Sequence, residues 1–223
     1  MKTIIILSAM FFTGLQTAFC QMGALKGSGK VVTKIFSYQN FDSIQLQDLD
    51  GKIEVEAGKA YSITIAIDDN LERLLVVNEN NKTLIIALEK NENNKRYVEN
   101  SNIKITITVP QLCKIAQSGN SNTYVKAIES KSFRIQSRGN GNIVIDGTAE
   151  NFDVQKSGNG NVEAGKLLTK NANIVSTGNG DVKVNASETF FADGTGNGDI
   201  INKGKAKASP NSKQTGNGEI INN

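Results

Sequence analysis

Apolar residues along much of this chain fall at every second position. Ile63-Ile65-Ile67, Leu84-Ile86-Leu88 and Ile103-Ile105-Ile107-Val109 each alternate with polar neighbours, the spacing of strands that turn one face to a core. Ile44, Leu46, Ile53 and Val55 flank a turn at Asp50-Gly51, and Leu71 to Leu75 suits one helical turn. From Gly119 onward the pattern becomes periodic. Gly-Asn recurs at Gly119-Asn120, Gly139-Asn140, Gly158-Asn159, Gly178-Asn179, Gly196-Asn197 and Gly216-Asn217, in steps of 20, 19, 20, 18 and 20 residues. The last five extend to Gly-Asn-Gly followed by Asn142, Asn161, Asp181, Asp199 or Glu219, and a Ser or Thr usually precedes them, with Arg138 the exception.

Each repeat carries apolar residues at fixed offsets. Phe133, Phe152, Ala172, Phe190 and Pro210 lie six positions before the Gly, and Ile135, Val154, Ile174, Ala192 and Ser212 lie four before it. Ile143 and Ile145, Val162 and Ala164, Val182 and Val184, then Ile200 and Ile220 follow the turns. Gly-Asn-Gly between such strands predicts a tight turn, because Gly and Asn tolerate positive φ. A repeat near 20 residues cannot bury a core alone and has to stack on its neighbours. Parallel stacking about 4.8 Å apart would place turn over turn, with Phe inside and an Asn ladder on the outer corner. The fold class is therefore all-β, a parallel β-solenoid with Gly-Asn-Gly repeats in the C-terminal half. The rival arrangement is a stack of independent hairpins. With Pro210 and Ser212 the repeat weakens, predicting an open last edge without a cap and, through it, a homo-oligomer.

The organisation expected is a secretory signal over 1–20, a flexible segment over 21–30, and a single domain over 31–223. That domain divides into an irregular strand-rich half (31–117) and regular repeats (118–223). Lys2, the apolar run through Phe12 and Ala18-Phe19-Cys20 fit an export signal too short to span a bilayer. A lipid anchor at Cys20 is the less favoured reading, because Phe19 is large for that cleavage. Asn91 to Asn102 reads as an exposed polar loop, and Pro110 ends the last irregular strand.

Composition removes several chemistries. Among 223 residues there is no His, which excludes Ser-His-Asp, Cys-His and HExxH sites. The net charge of +3 is dispersed and gives no case for nucleic acid. With Cys20 lost in the leader, Cys113 is alone and no internal disulfide is expected; it reads most simply as a buried apolar residue.

Candidate sites are few. Asp181, Asp199 and Glu219 would stack in one column, where calcium could relieve their repulsion; solvated turn carboxylates are the simpler reading. Asp146, Asp153, Glu163 and Asp193 are the acids considered for polysaccharide cleavage, but they are spread along the repeats and no cluster stands out, so no catalytic pair emerges. Lys203, Lys205 and Lys207 form a small basic patch suited to acidic glycans or simply to a solvated face. Tyr61, Tyr97 and Tyr124 are potential aromatic contacts. The sequons at Asn81 and Asn185 carry little weight in a bacterial exported protein. No cofactor is implied.

One resemblance goes further. Asn40-Phe41-Asp42-Ser43-Ile44, Gly51-Lys52-Ile53-Glu54-Val55, Ile105-Thr106-Ile107-Thr108-Val109-Pro110 and the serial Gly-Asn-Gly turns together resemble the GIN-domain family of adhesin-like exported proteins common in Bacteroidetes. The resemblance spans about residues 31–223. It implies a right-handed parallel β-helix, a role at the envelope or cell surface (periplasmic, surface-bound or extracellular) and no catalytic residues. The function expected is non-enzymatic binding of glycan or protein. A self-associating structural component is the alternative, and a carbohydrate-active enzyme a more distant one. No translocator domain follows the repeats, so export by its own barrel is not expected.

Overall fold

The computed structural model describes residues 25–89 and 98–222. The leader at 1–20 with Cys20, residues 21–24, the 91–97 part of the polar excursion and Tyr97 lie outside them. The elements are β1 (Leu25–Lys26), β2 (Val31–Phe36), β3 (Ser43–Leu49), β4 (Gly51–Ala57), β5 (Ser62–Asp68), a 3-10 turn at Glu72–Leu74, β6 (Leu75–Asn80), β7 (Thr83–Leu88), β8 (Val98–Glu99) and β9 (Ile103–Val109). They continue as β10 (Lys114–Gly119), β11 (Asn122–Gly139), β12 (Ile143–Gly158), β13 (Val162–Gly178), β14 (Val182–Gly196), β15 (Ile200–Asn202), β16 (Lys213–Thr215) and β17 (Ile220–Asn222).

The protein is all-β, and its long strands pair in parallel from one repeat to the next. Phe133 sits opposite Phe152, Ile135 opposite Val154, and Gly139 opposite Gly158; the same offsets carry β12 onto β13 and β13 onto β14. Pairing between repeats, not within hairpins, removes the independent-hairpin arrangement. The offset residues read from the sequence face inward. Phe133, Phe152, Phe190, Ile135, Val154 and Ile174 are all buried. Phe133 and Phe152 stack with centroids 6.2 Å apart, and Ala172 separates them from Phe190.

The irregular half obeys the same register in a different chain order. The β3–β4 pair forms a rung beneath β10 and the start of β11, with Ile44 opposite Ile115 and Ile53 opposite Thr123. Beneath that rung lie β7 and β9, which come later in the chain. Antiparallel strands then close this end: β6 on β7, β5 on β9 and β2 on β5.

Two glycines per turn have separate jobs. The first takes a φ of +102 to +124° at Gly119, Gly139, Gly158, Gly178, Gly196 and Gly216, a region closed to most side chains. The Asn that follows does not share it, so the positive φ expected of both falls on Gly alone. The third residue, as at Gly160, has an ordinary φ, but a Cβ there would collide with the carbonyl oxygen of Gly141 one rung below. Stacked turns leave no room for a side chain.

Both ends depart from expectation. Residues 25–30 are not loose: Leu25–Lys26 pair with Val98–Glu99, and buried Asp68 accepts hydrogen bonds from Gly29 N (2.8 Å), Asn102 N (2.6 Å) and Asn102 Nδ2 (3.0 Å). Val98 is buried and Asn102 engaged, so the excursion ends sooner than Asn102. At the other end, residues 203–212 fold over the last long rung. Buried Asn202 holds them, accepting from Ala186 N and Gly204 N and donating to Ala186 O and Ala206 O. This cover shields Phe190, whose partner across the bridge is Ala208. The end is thus partly capped.

Substitutions at glycine separate these requirements. Gly178→Val meets both the positive φ and the carbonyl of Gly158, and is expected to cost more than about 3 kcal/mol in urea unfolding. Gly165→Ala, whose Cβ would meet nothing nearer than Lys203 Cδ at 3.6 Å, should change stability by less than about 0.5 kcal/mol. Equal effects would contradict the assignment.

Candidate binding surface

Alternation leaves outward positions stacked in columns along the rungs, and each column is a strip of surface. At the turn corner, Asn140 Nδ2 donates to Asn120 Oδ1 (3.0 Å), Asn159 to Asn140 (3.0 Å), Asn179 to Asn159 (2.7 Å), Asn197 to Asn179 (2.7 Å) and Asn217 to Asn197 (2.9 Å). Every amide points the same way, so the dipoles reinforce one another. The neighbouring column holds Asn122, Asn142, Asn161, Asp181, Asp199 and Glu219. Here a side-chain oxygen accepts the backbone N–H of the next rung: Asp181 N on Asn161 Oδ1 (2.8 Å), Asp199 N on Asp181 Oδ1 (3.0 Å), Glu219 N on Asp199 Oδ1 (2.9 Å). The structure therefore brings the three calcium candidates together and gives both aspartates a duty that Asn performs lower down. Among the described residues, no group of three or more His, Cys, Asp or Glu is placed to hold a metal.

The acids considered for sugar cleavage are engaged separately. Asp146 Oδ1 accepts Ala127 N (2.9 Å), Asp153 faces Arg134 (3.6 Å), Glu163 pairs with Lys183 (2.8 Å) and Asp193 with Lys213 (3.4 Å). Tyr61 packs on Phe41 and donates to its carbonyl (3.1 Å), which makes it part of the core. Tyr124 is half-buried beneath Lys52, whose Nζ is 5.3 Å from the ring centroid. Lys203, Lys205 and Lys207 are exposed on the covering segment, and Cys113 is a half-buried free thiol.

A broad concavity lies where no motif pointed. It encloses about 560 Å³ over three rungs, lined by Glu129, Lys131, Thr148, Glu150, Leu168 and Lys170 among others. Leu168 is 57% exposed, and Lys170 Nζ stands 3.6 Å from Glu150. Every long strand breaks register here, between Val125 and Ile128, Val144 and Asp146, and Glu163 and Leu168. Ala127 and Gly147 have positive φ at the same level. These are bulges, which bend a strand and re-aim its side chains. One sequence signal does mark the place. From Val125 to Phe133, Ile145 to Phe152, Ala164 to Ala172 and Val184 to Phe190 the separations are 8, 7, 8 and 6 residues. That variation accounts for the whole spread in repeat length, while the turn corner stays constant.

The family described as "Putative auto-transporter adhesin, head GIN domain" matches residues 40–206. The chain belongs to this family. A crystal structure of a "putative adhesin" from Bacteroides fragilis is 28% identical, with a TM-score of 0.67 over 90% of this chain and 100% of that one. A "putative lipid binding protein" from Parabacteroides distasonis (20% identity, TM-score 0.53, 90% and 99% covered) and a "putative adhesin" from Parabacteroides merdae (18%, 0.52, 89% and 98%) share the fold. No curated protein matches the chain. Among the described residues of this GIN-domain protein, no helix is long and apolar enough to cross a membrane.

One further group in the GIN domain went unread in the sequence. Lys156 is 4% exposed, in an inward column with Gln117, Ser137 and Ser176 just behind the turns. Its Nζ donates to Gly158 O (3.0 Å). Burial pushes its pKa down, and the nearby Asp181 carboxylate only partly opposes this. A lowered lysine pKa means the folded state binds its proton less tightly than the unfolded chain does. Stability should therefore rise as pH climbs from the folded value toward about 10.5, the ordinary one. Lys156→Met removes the buried charge, and is expected to match wild type or exceed it by up to about 2 kcal/mol at pH 7. The difference should shrink as pH approaches 10.5. A large loss at pH 7, constant with pH, would contradict this account.

Proposed function

We propose that the chain is a right-handed parallel β-solenoid acting as an exported, non-enzymatic surface-binding module, which grips an extended glycan or protein segment along its bulged corner. A coil is supported by length. The 17 residues of β13 would span about 55 Å if straight, and the short turn after Gly178 cannot carry the chain back that far to begin a parallel neighbour. The return requires each strand to wrap around the core, bending at its bulge. Right-handedness follows the rule for parallel crossovers.

The asymmetry between the two corners carries the functional assignment. The turn corner is uniform and spends its polar groups on itself through the Asn ladder. The bulged corner varies in length from rung to rung and opens a groove with Glu129, Lys131, Thr148 and Lys170 on its walls. Variation in loops on a constant scaffold is where binding specificity is generally built. Glu163 and Asp193 are committed to ion pairs, which favours binding over catalysis. Family membership supports a place at the surface and a role in adhesion.

The test is an array of glycans and matrix proteins probed with the purified chain, with and without calcium. Saturable binding is expected, weakened at least tenfold by Lys170→Glu with the melting temperature little changed. Binding indifferent to Lys170→Glu and to Leu168→Glu would move the site off the groove, and release of sugar products would overturn the non-enzymatic assignment.

A further inference from the structure

The outer strand edges are guarded unequally. Strand β6 ends in exposed Asn78, Glu79 and Asn80, and β17 is three residues long, at the end of the molecule that carries Lys203, Lys205, Lys207 and Lys213. Short strands and charge are the usual protections against edge-to-edge association. Strand β2 is twice the length of β17, and its single charge is tied up in an ion pair. It bonds to β5 along six residues, Val31 opposite Asp68 through Phe36 opposite Ile63, and among the described residues no strand pairs with its other side. Its solvent face presents Val31 (46% exposed), Thr33 and Ile35 (78%). Ile35 is the most exposed of the large apolar residues described. No proline or bulge interrupts the strand, and its one charge, Lys34, is paired with Glu72. The edge is also held in place at its start. Asp69 N donates to Lys30 O (2.8 Å) and Ser28 Oγ to Asp69 Oδ1 (2.7 Å).

We propose that β2 pairs with β2 of a second copy of this chain, antiparallel about a two-fold axis through Thr33. The sequence of the strand is self-complementary in that register. Val31 meets the partner's Ile35, Thr33 meets the partner's Thr33, and Ile35 meets the partner's Val31, all on the solvent face. On the other face Val32 meets the partner's Lys34, so no like charges are opposed. Apolar β-branched pairs and Thr–Thr pairs are favourable across antiparallel strands. A two-fold contact closes on itself and gives a dimer instead of a fibre. Five paired residues bury less than the roughly 800 Å² per partner of a standard interface, so the dimer is weak in dilute solution and favoured where copies are crowded on a surface. This dimer is independent of the groove, and its failure would leave the groove assignment intact.

Sedimentation equilibrium of the purified chain from about 1 to 500 µM tests it, together with cross-linking in a background lacking Cys20 and Cys113. A monomer–dimer equilibrium is expected, its dissociation constant raised at least tenfold by Ile35→Lys with unchanged melting. Thr33→Cys, which faces itself across the axis, should form a disulfide dimer under mild oxidation, whereas Val31→Cys alone should do so at least tenfold less. A monomer throughout the range, a dimer indifferent to Ile35→Lys, or equal cross-linking at positions 31 and 33 would overturn the proposal.

Discussion

Two backbone N–H groups, those of Asn140 and Gly141, converge on the carbonyl oxygen of Gly119 one rung below, at 3.1 and 3.2 Å. The same pair of bonds recurs from Asn159 and Gly160 onto Gly139 O, and from Asn197 and Gly198 onto Gly178 O. Such bonds form only if successive turns approach to the spacing of paired strands, and that approach leaves no room for a Cβ at either glycine. Most of the fold depends on this contact. It fixes the register of every rung, which in turn sets which side chains enter the core and which line up outside. The Asn ladder and the column ending in Asp181, Asp199 and Glu219 are consequences, since a residue repeated in register repeats its hydrogen bond.

Behind the turns the same constraint creates a need. Tight turns aim carbonyl oxygens inward, where an unpaired acceptor is costly. The inward residue two positions before the Gly answers it with donors of different kinds, Gln117 Nε2 on Ser121 O (2.6 Å) and Lys156 Nζ on Gly158 O, while Gln214 Nε2 adds a second bond (3.3 Å) to Gly196 O, which already accepts from Gly218 N. Lys156 is the costly solution, because it brings a charge into a site where an amide would serve. Ser121 Oγ and Gln214 Oε1 are left buried without partners.

Much of this was legible in the sequence. The turns, their spacing and the inward offsets are local signals, and Phe133, Ile135, Phe152 and Val154 lie where the pattern placed them. The placement of positive φ on Asn erred because composition names the residues of a turn without saying which one carries the strain. The order of the first half was not legible. That β3 lies between β10 and β7, and β4 between β11 and β9, is decided by long-range pairing, which no window of sequence contains. The clasp of residues 25–30 by Asp68 and the cover held by Asn202 are of the same kind, single polar side chains whose partners are remote in the chain. The groove was missed for another reason. Bulges have no residue signature here, and the one mark they leave is the changing distance between two constant offsets.

Native-state hydrogen exchange at the turns tests the central constraint most directly. If the stacked turns are the tightest bonded part of each rung, the amides of Asn140, Gly141, Asn159, Gly160, Asn197 and Gly198 will exchange as slowly as those of buried strand residues such as Ile135 and Val154, through global unfolding alone. Turn amides that exchange orders of magnitude faster than those strand residues, in the manner of ordinary surface loops, would contradict the account.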